Sequence, residues 1–191
     1  MTDSTSAAYA FTFSPIRRSD FALLGQWLAT AHVARWWNDD PSPAAIEADY
    51  GPCVEGTEPA QVFIAHCDGL PAGLIQRFRF SAYPQYIGEL APILAVSPAS
   101  TSIDYFIGPP AMLGKGIGTA LIAAFVATIW TDDPDTPDIV VPVQADNRAS
   151  WRALERAGFT RVATGELEPD NPADGRRHAI YLAQRPCMQS R

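Results

Sequence analysis

At 191 residues, with 47% hydrophobic and 18% charged side chains, the chain is long enough to bury one substantial core and reads as one domain. A formal charge of −7 argues against nucleic acid as a partner and suits a small cationic ligand better. No apolar run reaches the ~18 residues of a membrane helix. The start, Met1 to Ala10, lacks the basic-then-apolar order of a signal peptide. Cys53, Cys67 and Cys187 form no Cys-x-x-Cys pair, and His32, His66 and His178 show no metal spacing. The expectation is a soluble cytoplasmic protein with reduced thiols, no metal and no membrane contact.

In chain order, residues 1–8 are small and polar and are expected to be disordered, and a single domain spans 9–185 with a tail at 186–191. Tyr9 to Phe13 alternates as a strand. Ser19 caps a helix whose buried face is Phe21, Leu24, Trp27, Leu28 and Ala31. Trp36-Trp37-Asn38-Asp39-Asp40-Pro41 breaks that pattern, and Pro43 opens a second helix running to about Tyr50. Ala60 to His66 and Ala72 to Phe80 are strands joined by the hairpin dipeptide Asp68-Gly69. Tyr83 to Pro98, with three prolines, reads as an irregular connection, and Ser102 to Ile107 as the next strand. A long helix ends near Trp130, and Ile139 to Val143 is a wholly apolar strand. Pro142 within it cannot donate a ladder bond, so the sheet must be open there. Asn147 or Asp146 caps a helix over Ala149 to Ala157 that Gly158 ends, and Phe159 to Leu167 and His178 to Gln184 close the chain as antiparallel strands. The fold class expected is α/β, with a mixed sheet and helices on both faces.

The most informative segment is Gly114-Lys115-Gly116-Ile117-Gly118-Thr119, between a strand and an amphipathic helix. Alternating glycines let the backbone take positive φ and bring several N–H groups onto phosphate oxygens, and the next helix adds its unpaired first-turn donors. The spacing is Gly-x-Gly-x-Gly, which departs from the Gly-x-Gly-x-x-Gly of dinucleotide folds, and no Gly-Lys-Ser/Thr is present.

This glycine turn, together with the run from Asn147 to Phe159, resembles the GCN5-related N-acetyltransferases (GNAT). The resemblance covers roughly residues 9 to 185 and implies a mostly antiparallel sheet splayed between its fourth and fifth strands. The family pattern Gln/Arg-x-x-Gly-x-Gly/Ala binds the pyrophosphate of acetyl-coenzyme A and falls on Leu113, Gly116 and Gly118, with Leu113 departing from it. A second block, Asn-x-x-Ala/Ser-x-x-x-Tyr-Glu-Lys-x-Gly-Phe, falls on Asn147, Ser150, Leu154, Glu155, Arg156, Gly158 and Phe159, with Leu154 in place of the tyrosine that protonates the leaving thiolate. Ser102 to Gly108 with the glycine loop, and the Trp36-Trp37 pair followed by acidic residues, look most like aminoglycoside 6′-N-acetyltransferases. Siderophore-pathway acyltransferases on hydroxylated lysine share much of this pattern.

The resemblance implies acetyl-coenzyme A as co-substrate and a primary amine of a small cationic molecule, with aminoglycosides leading, as acceptor. The alternatives are a hydroxylated lysine, a peptide amine, or a non-catalytic acyl-coenzyme A sensor. Such an amine titrates near Lys, at about 10, and must lose a proton to react. Asp104 is the expected base, directly or through a water, or a group that only positions the amine. Free backbone N–H groups of Phe106 or Ile107 would stabilise the carbonyl oxygen. The cofactor is expected along Phe106, Ile107, Gly108 and Leu113 to Thr119, with Asn147, Trp151 and Arg156; Arg152 is a further candidate. Trp36, Trp37, Asp39, Asp40 and Glu89 are expected to join Asp104 around the substrate.

Overall fold

The computed structural model describes residues 9–169, 171 and 173–186. The expected disordered start, Cys187 and the tail beyond Pro186 lie outside the described residues. Strand β1 (Phe11–Pro15) leads into helices α1 (Phe21–Leu28), α2 (Ala31–Trp37) and α3 (Pro43–Glu55). The hairpin β2 (Gln61–Cys67) and β3 (Leu70–Arg79) follows, then α4 (Pro84–Leu90), β4 (Thr101–Ile107) and the long α5 (Ile117–Asp132). β5 (Asp138–Gln144), α6 (Arg148–Arg156), β6 (Thr160–Glu166) and β7 (Arg177–Gln184) complete it.

The seven strands form one sheet in the order β1-β2-β3-β4-β5-β7-β6. Every neighbouring pair is antiparallel except β4 and β5, which run parallel and meet in register only at Thr101 and Ile139. Beyond that apex they part. Gly108 donates its N–H to Ala72 O, and Ala145 donates to Arg177 O. Antiparallel alternation therefore turns the backbone of Ile103, Tyr105 and Ile107, and on β5 that of Val140 and Pro142, toward the gap. Pro142 has no N–H to offer at the point where the ladder stops, as its sequence position requires.

Each sheet face carries its own core. On one, Leu121, Ile122, Phe125 and Ile129 of α5 and Leu154 of α6 pack on Ile75, Ile103, Val141 and Tyr181. On the other, Leu24, Trp27 and Leu28 of α1 and Ile46 and Tyr50 of α3 pack on Val62, Ile64, Leu74 and Phe106. Leu90 of α4 joins Phe80, Val140 and Ile180 in a third cluster, with Ile87 against it. Gly108 is fixed by this packing, since a Cβ there would lie 2.2 Å from Trp27 Cδ2.

Three expectations on local structure are corrected. Trp36 and Trp37 end a helix instead of breaking one: Thr30, extended at φ −74° and ψ 140°, starts α2, and Asn38 at φ 56° stops it. The 83–98 connection contains α4, because Pro84 sits in its first turn, where a missing N–H is harmless. Helix α3 runs past Tyr50 through Pro52 to Gly56, a left-handed C-cap at φ 72°. The hairpin turn is as read, with Asp68 and Gly69 both at positive φ. Among the described residues no helix is long and apolar enough to cross a membrane, and no group of acidic, His and Cys side chains is arranged to hold a metal ion.

Candidate active site

The parting of β4 and β5 opens a cleft of about 720 Å³ that runs from α2 and α3 past the sheet gap to α6 and the 167–174 loop. Its wall carries seven carboxylates, those of Asp39, Asp49, Glu58, Glu89, Asp104, Glu168 and Asp174, and no Lys or Arg among its described residues, although Arg35 and Arg176 pair with Asp174 and Glu168 from outside it. Such a low-dielectric wall of one sign draws cations and repels anions.

Asp104 stands on the β4 face covered by α1 to α4, beside Gln76, which donates from Nε2 to Asp104 Oδ2 at 3.0 Å. Trp37 Nε1 and the Tyr50 hydroxyl both donate to Asp39 Oδ2, at 2.8 and 2.9 Å. Burial, then the Asp39 charge and hydrogen bond, push the Tyr50 phenol well above its ordinary value, so it remains a donor. Trp37 also packs edge-on against Phe106, with centroids 4.9 Å apart. Tyr83 donates to Glu58, and Arg35 holds Asp174 at 2.6 Å while stacking over Trp36. Trp36, Trp37, Asp39, Glu89 and Asp104 thus share one wall. Asp40 does not: its Oδ1 accepts the Ser42 N–H at 2.9 Å ahead of α3, which holds its side chain away from the cleft.

The glycine loop lies at the outer end of β4. Gly114 and Gly116 have φ of 72° and 79°, and a Cβ at either would meet no atom within 4 Å. Gly116 is the N-cap of α5, and no side chain caps that terminus. The exposed turn from Leu113 to Gly116 and the first-turn amides at Ile117, Gly118 and Thr119 therefore leave uncapped backbone donors beside open space. A Cβ on Gly118 would lie 3.9 Å from both Ile107 and Ala153, so the start of α5 sits between the end of β4 and α6.

Further inward, β4 and α6 line the cleft itself, whereas Phe106, Ile107, Gly108 and the glycine loop are not part of its lining. Asn147 Oδ1 accepts the Ser150 N–H at 3.2 Å, and Ser150 Oγ lies 2.8 Å from the Tyr105 hydroxyl; all three residues line the cavity. Of the two amides expected to face the carbonyl oxygen, Ile107 is on the gap side and Phe106 is turned to β3. His32 lies 2.8 Å from Ile107 O and holds the strand end. Trp151 is not brought to the cleft: it rotates to the other flank of α6, under the Arg152 guanidinium, in a groove with Arg148, Arg161 and Arg177. Arg156 is exposed on the last turn.

Tyr50, Glu58, Gln76, Tyr83, Ser150 and Asp174 were not indicated by the sequence as site residues. No local pattern marks them, and they reach the gap only through tertiary packing: Gln76 from β3, Tyr50 from α3, Glu58 after α3, Tyr83 before α4, Ser150 from α6 and Asp174 ahead of β7.

Comparisons agree with this geometry. A family model described as an acetyltransferase (GNAT) domain matches residues 17–167. The aminoglycoside N(6′)-acetyltransferase type 1 of Klebsiella pneumoniae is 29% identical over 183 residues, 94% of this chain and 85% of that protein. A kanamycin resistance protein of Rhizobium radiobacter is 36% identical over 87 residues, 46% of this chain and 73% of that protein. Among solved structures, the aminoglycoside acetyltransferase AAC(6′)-Ib in complex with coenzyme A and kanamycin superposes with a TM-score of 0.78 at 27% identity, covering 92% of this chain and 95% of the other.

Proposed function

Because the chain belongs to the GNAT acetyltransferase family, we propose that it moves the acetyl group of acetyl-coenzyme A to a primary amine of an aminoglycoside, the 6′-amine of kanamycin-type compounds. The observation that carries the substrate class is the cleft wall of seven carboxylates without a Lys or Arg among its described residues. Asp174 and Glu168 are already paired with Arg35 and Arg176, and a molecule with several ammonium groups gains from the other five, whereas an acidic or neutral amine gains little.

The residues divide the work between the two faces of β4. The cradle from Gly114 to Thr119 fits the diphosphate, since its left-handed glycines leave space and its amides lack side-chain caps. Asp104, fixed by Gln76, attracts and orients the acceptor ammonium and takes its proton directly or through one water. The freed nitrogen attacks the thioester carbonyl, whose oxygen gathers charge beside the gap-facing N–H of Ile107. Collapse expels the thiolate, and the nitrogen sheds its second proton to solvent as the amide forms. Asp39, Glu58 and Glu89 receive the remaining ammonium groups. The compartment proposed is the cytoplasm, where acetyl-coenzyme A is available.

Competition among amines tests the substrate class. Purified protein with acetyl-coenzyme A should release thiol with kanamycin and ribostamycin at kcat/KM at least about 100-fold above that with Nε-hydroxylysine or a peptide amine, a difference of roughly 3 kcal/mol in transition-state binding. Turnover of hydroxylysine with none of kanamycin would overturn it.

A further inference from the structure

Acyl transfer from a thioester leaves a thiolate, and Leu154, fully buried and apolar, offers it nothing. One turn earlier on α6, Ser150 Oγ lies 2.8 Å from the Tyr105 hydroxyl, and that hydroxyl donates to Ser150 O at 3.4 Å. The pleat of β4 puts Tyr105 on the α5 and α6 face, two residues inward from Ile107, which borders the glycine cradle through Gly118. Asp104 projects from the opposite face, yet both side chains line one cavity because the sheet is split beside them. An amine arriving along the acidic wall and a thioester arriving from the cradle therefore meet at the edge of β4 from opposite sides.

The other phenols on the wall differ in kind. Tyr50 and Tyr83 donate to Asp39 and Glu58 on the acceptor side, and Tyr86 is exposed. Tyr105 is paired with a neutral hydroxyl, and Ser150 can be the donor of that bond. The Tyr105 O–H then points at the Ser150 carbonyl across a long 3.4 Å contact, a bond weak enough to be exchanged for a charged acceptor.

We propose that Tyr105, held by Ser150, is a catalytic residue that donates a hydrogen bond to the departing coenzyme A thiolate. The ammonium gives one proton to Asp104 or water before the new C–N bond forms and a second to solvent as the intermediate collapses; the C–S bond breaks and its electron pair goes to sulfur. The phenol keeps its proton. Burial raises Tyr105 above its ordinary value, the Ser150 hydrogen bond opposes that in part, and a free thiol titrates lower, near about 8.5. Sulfur therefore leaves as a hydrogen-bonded thiolate and is protonated by solvent. The proposal rests on acetyl-coenzyme A being the donor and is independent of which amine accepts.

The test titrates the thiol of coenzyme A bound to the full-length protein, by the ultraviolet absorbance of the thiolate, for wild type, Tyr105→Phe and Ser150→Ala. Bound thiol in the wild type should titrate at least about one pH unit below the free value, a tenfold shift, and Tyr105→Phe should abolish that depression. With the amine the wild type uses best, Tyr105→Phe should lower kcat by roughly 10- to 100-fold, with KM for acetyl-coenzyme A within about threefold. Ser150→Ala should move both readouts the same way by less, and serves alone if the phenylalanine variant does not fold. An unchanged thiol titration in a folded variant, or kcat within about threefold of wild type, overturns the proposal. A wild type that binds no coenzyme A refutes the donor assignment beneath it instead.

Discussion

Substituting Gly116 by Ala separates the role of the glycine loop in folding from its role in binding. Gly116 sits at φ 79° with no atom within 4 Å of a Cβ position, so the added methyl meets no steric clash inside the protein and costs only backbone strain. For an L residue that strain is roughly 1–2 kcal/mol. In a chain of this size the melting temperature should fall by about 2–8 °C. Gly56, at φ 72° and equally open, caps α3 outside the cleft and supplies a strain-matched control. Gly116→Ala and Gly56→Ala should melt within a few degrees of each other. Their affinity for coenzyme A should differ sharply. The methyl at Gly116 enters the space a phosphate needs and displaces it from at least one amide, and a hydrogen bond to a charged group is worth about 1.5–3 kcal/mol. Calorimetry should therefore show coenzyme A binding about 10- to 150-fold weaker in Gly116→Ala and unchanged in Gly56→Ala. Equal affinities in the two variants would refute the cradle.

Asp104→Asn preserves shape and a partner for Gln76 but removes the charge; kcat/KM for kanamycin should fall at least about 100-fold while coenzyme A affinity stays within about threefold, as calorimetry and initial rates would show. Gly108→Ala drives a methyl into the Trp27 ring and should cost about 1–3 kcal/mol in urea unfolding, with the loss relieved by a smaller residue at 27. At the apex of the split, Asp133 bonds Arg79 and Thr136, and Thr136 reaches Thr101 on β4 at 3.2 Å. Burial opposes ionisation of Asp133, but the Thr136 and Arg79 hydrogen bonds and the charges of Arg79 and Arg77 outweigh it and hold the carboxyl below its ordinary value. That contribution is full above the unfolded value of about 3.9 and is lost as pH falls through the lower folded value. Asp133→Asn should therefore be less stable than wild type at pH about 6, and the gap should narrow progressively as pH falls below about 3.9 in urea titrations; a gap independent of pH would show the charge to be irrelevant.

The features legible in sequence were those with a local cause. The glycine loop, the Asp68-Gly69 turn and the gap at Pro142 each follow from a backbone constraint that one or two residues impose. Elements disguised by turn residues were not legible: Pro84 opens α4 where it resembles a breaker, and Asn38 to Pro41 hides the end of α2. On α6 the boundaries were readable but the facing was not. Asn147, Ser150 and Leu154, spaced by three and four, point inward, which rotates Trp151 away. Asp39 and Asp40 are chemically alike, and only their tertiary partners separate them: Asp39 accepts from Trp37 and Tyr50 in the wall, while Asp40 accepts the Ser42 N–H ahead of α3. Gln76, Glu58 and Asp174 meet at the cleft because β4 lies beside β3 and β5, an order that no periodicity encodes.

The most direct measurement follows thiol release and product structure together, with purified protein, acetyl-coenzyme A and kanamycin. The account predicts one thiol released per acetyl group transferred, with nuclear magnetic resonance locating a single acetyl on the 6′-amine and with Asp104→Asn nearly silent. Thiol release no faster than spontaneous hydrolysis, or an acetyl group on another nitrogen, would contradict it.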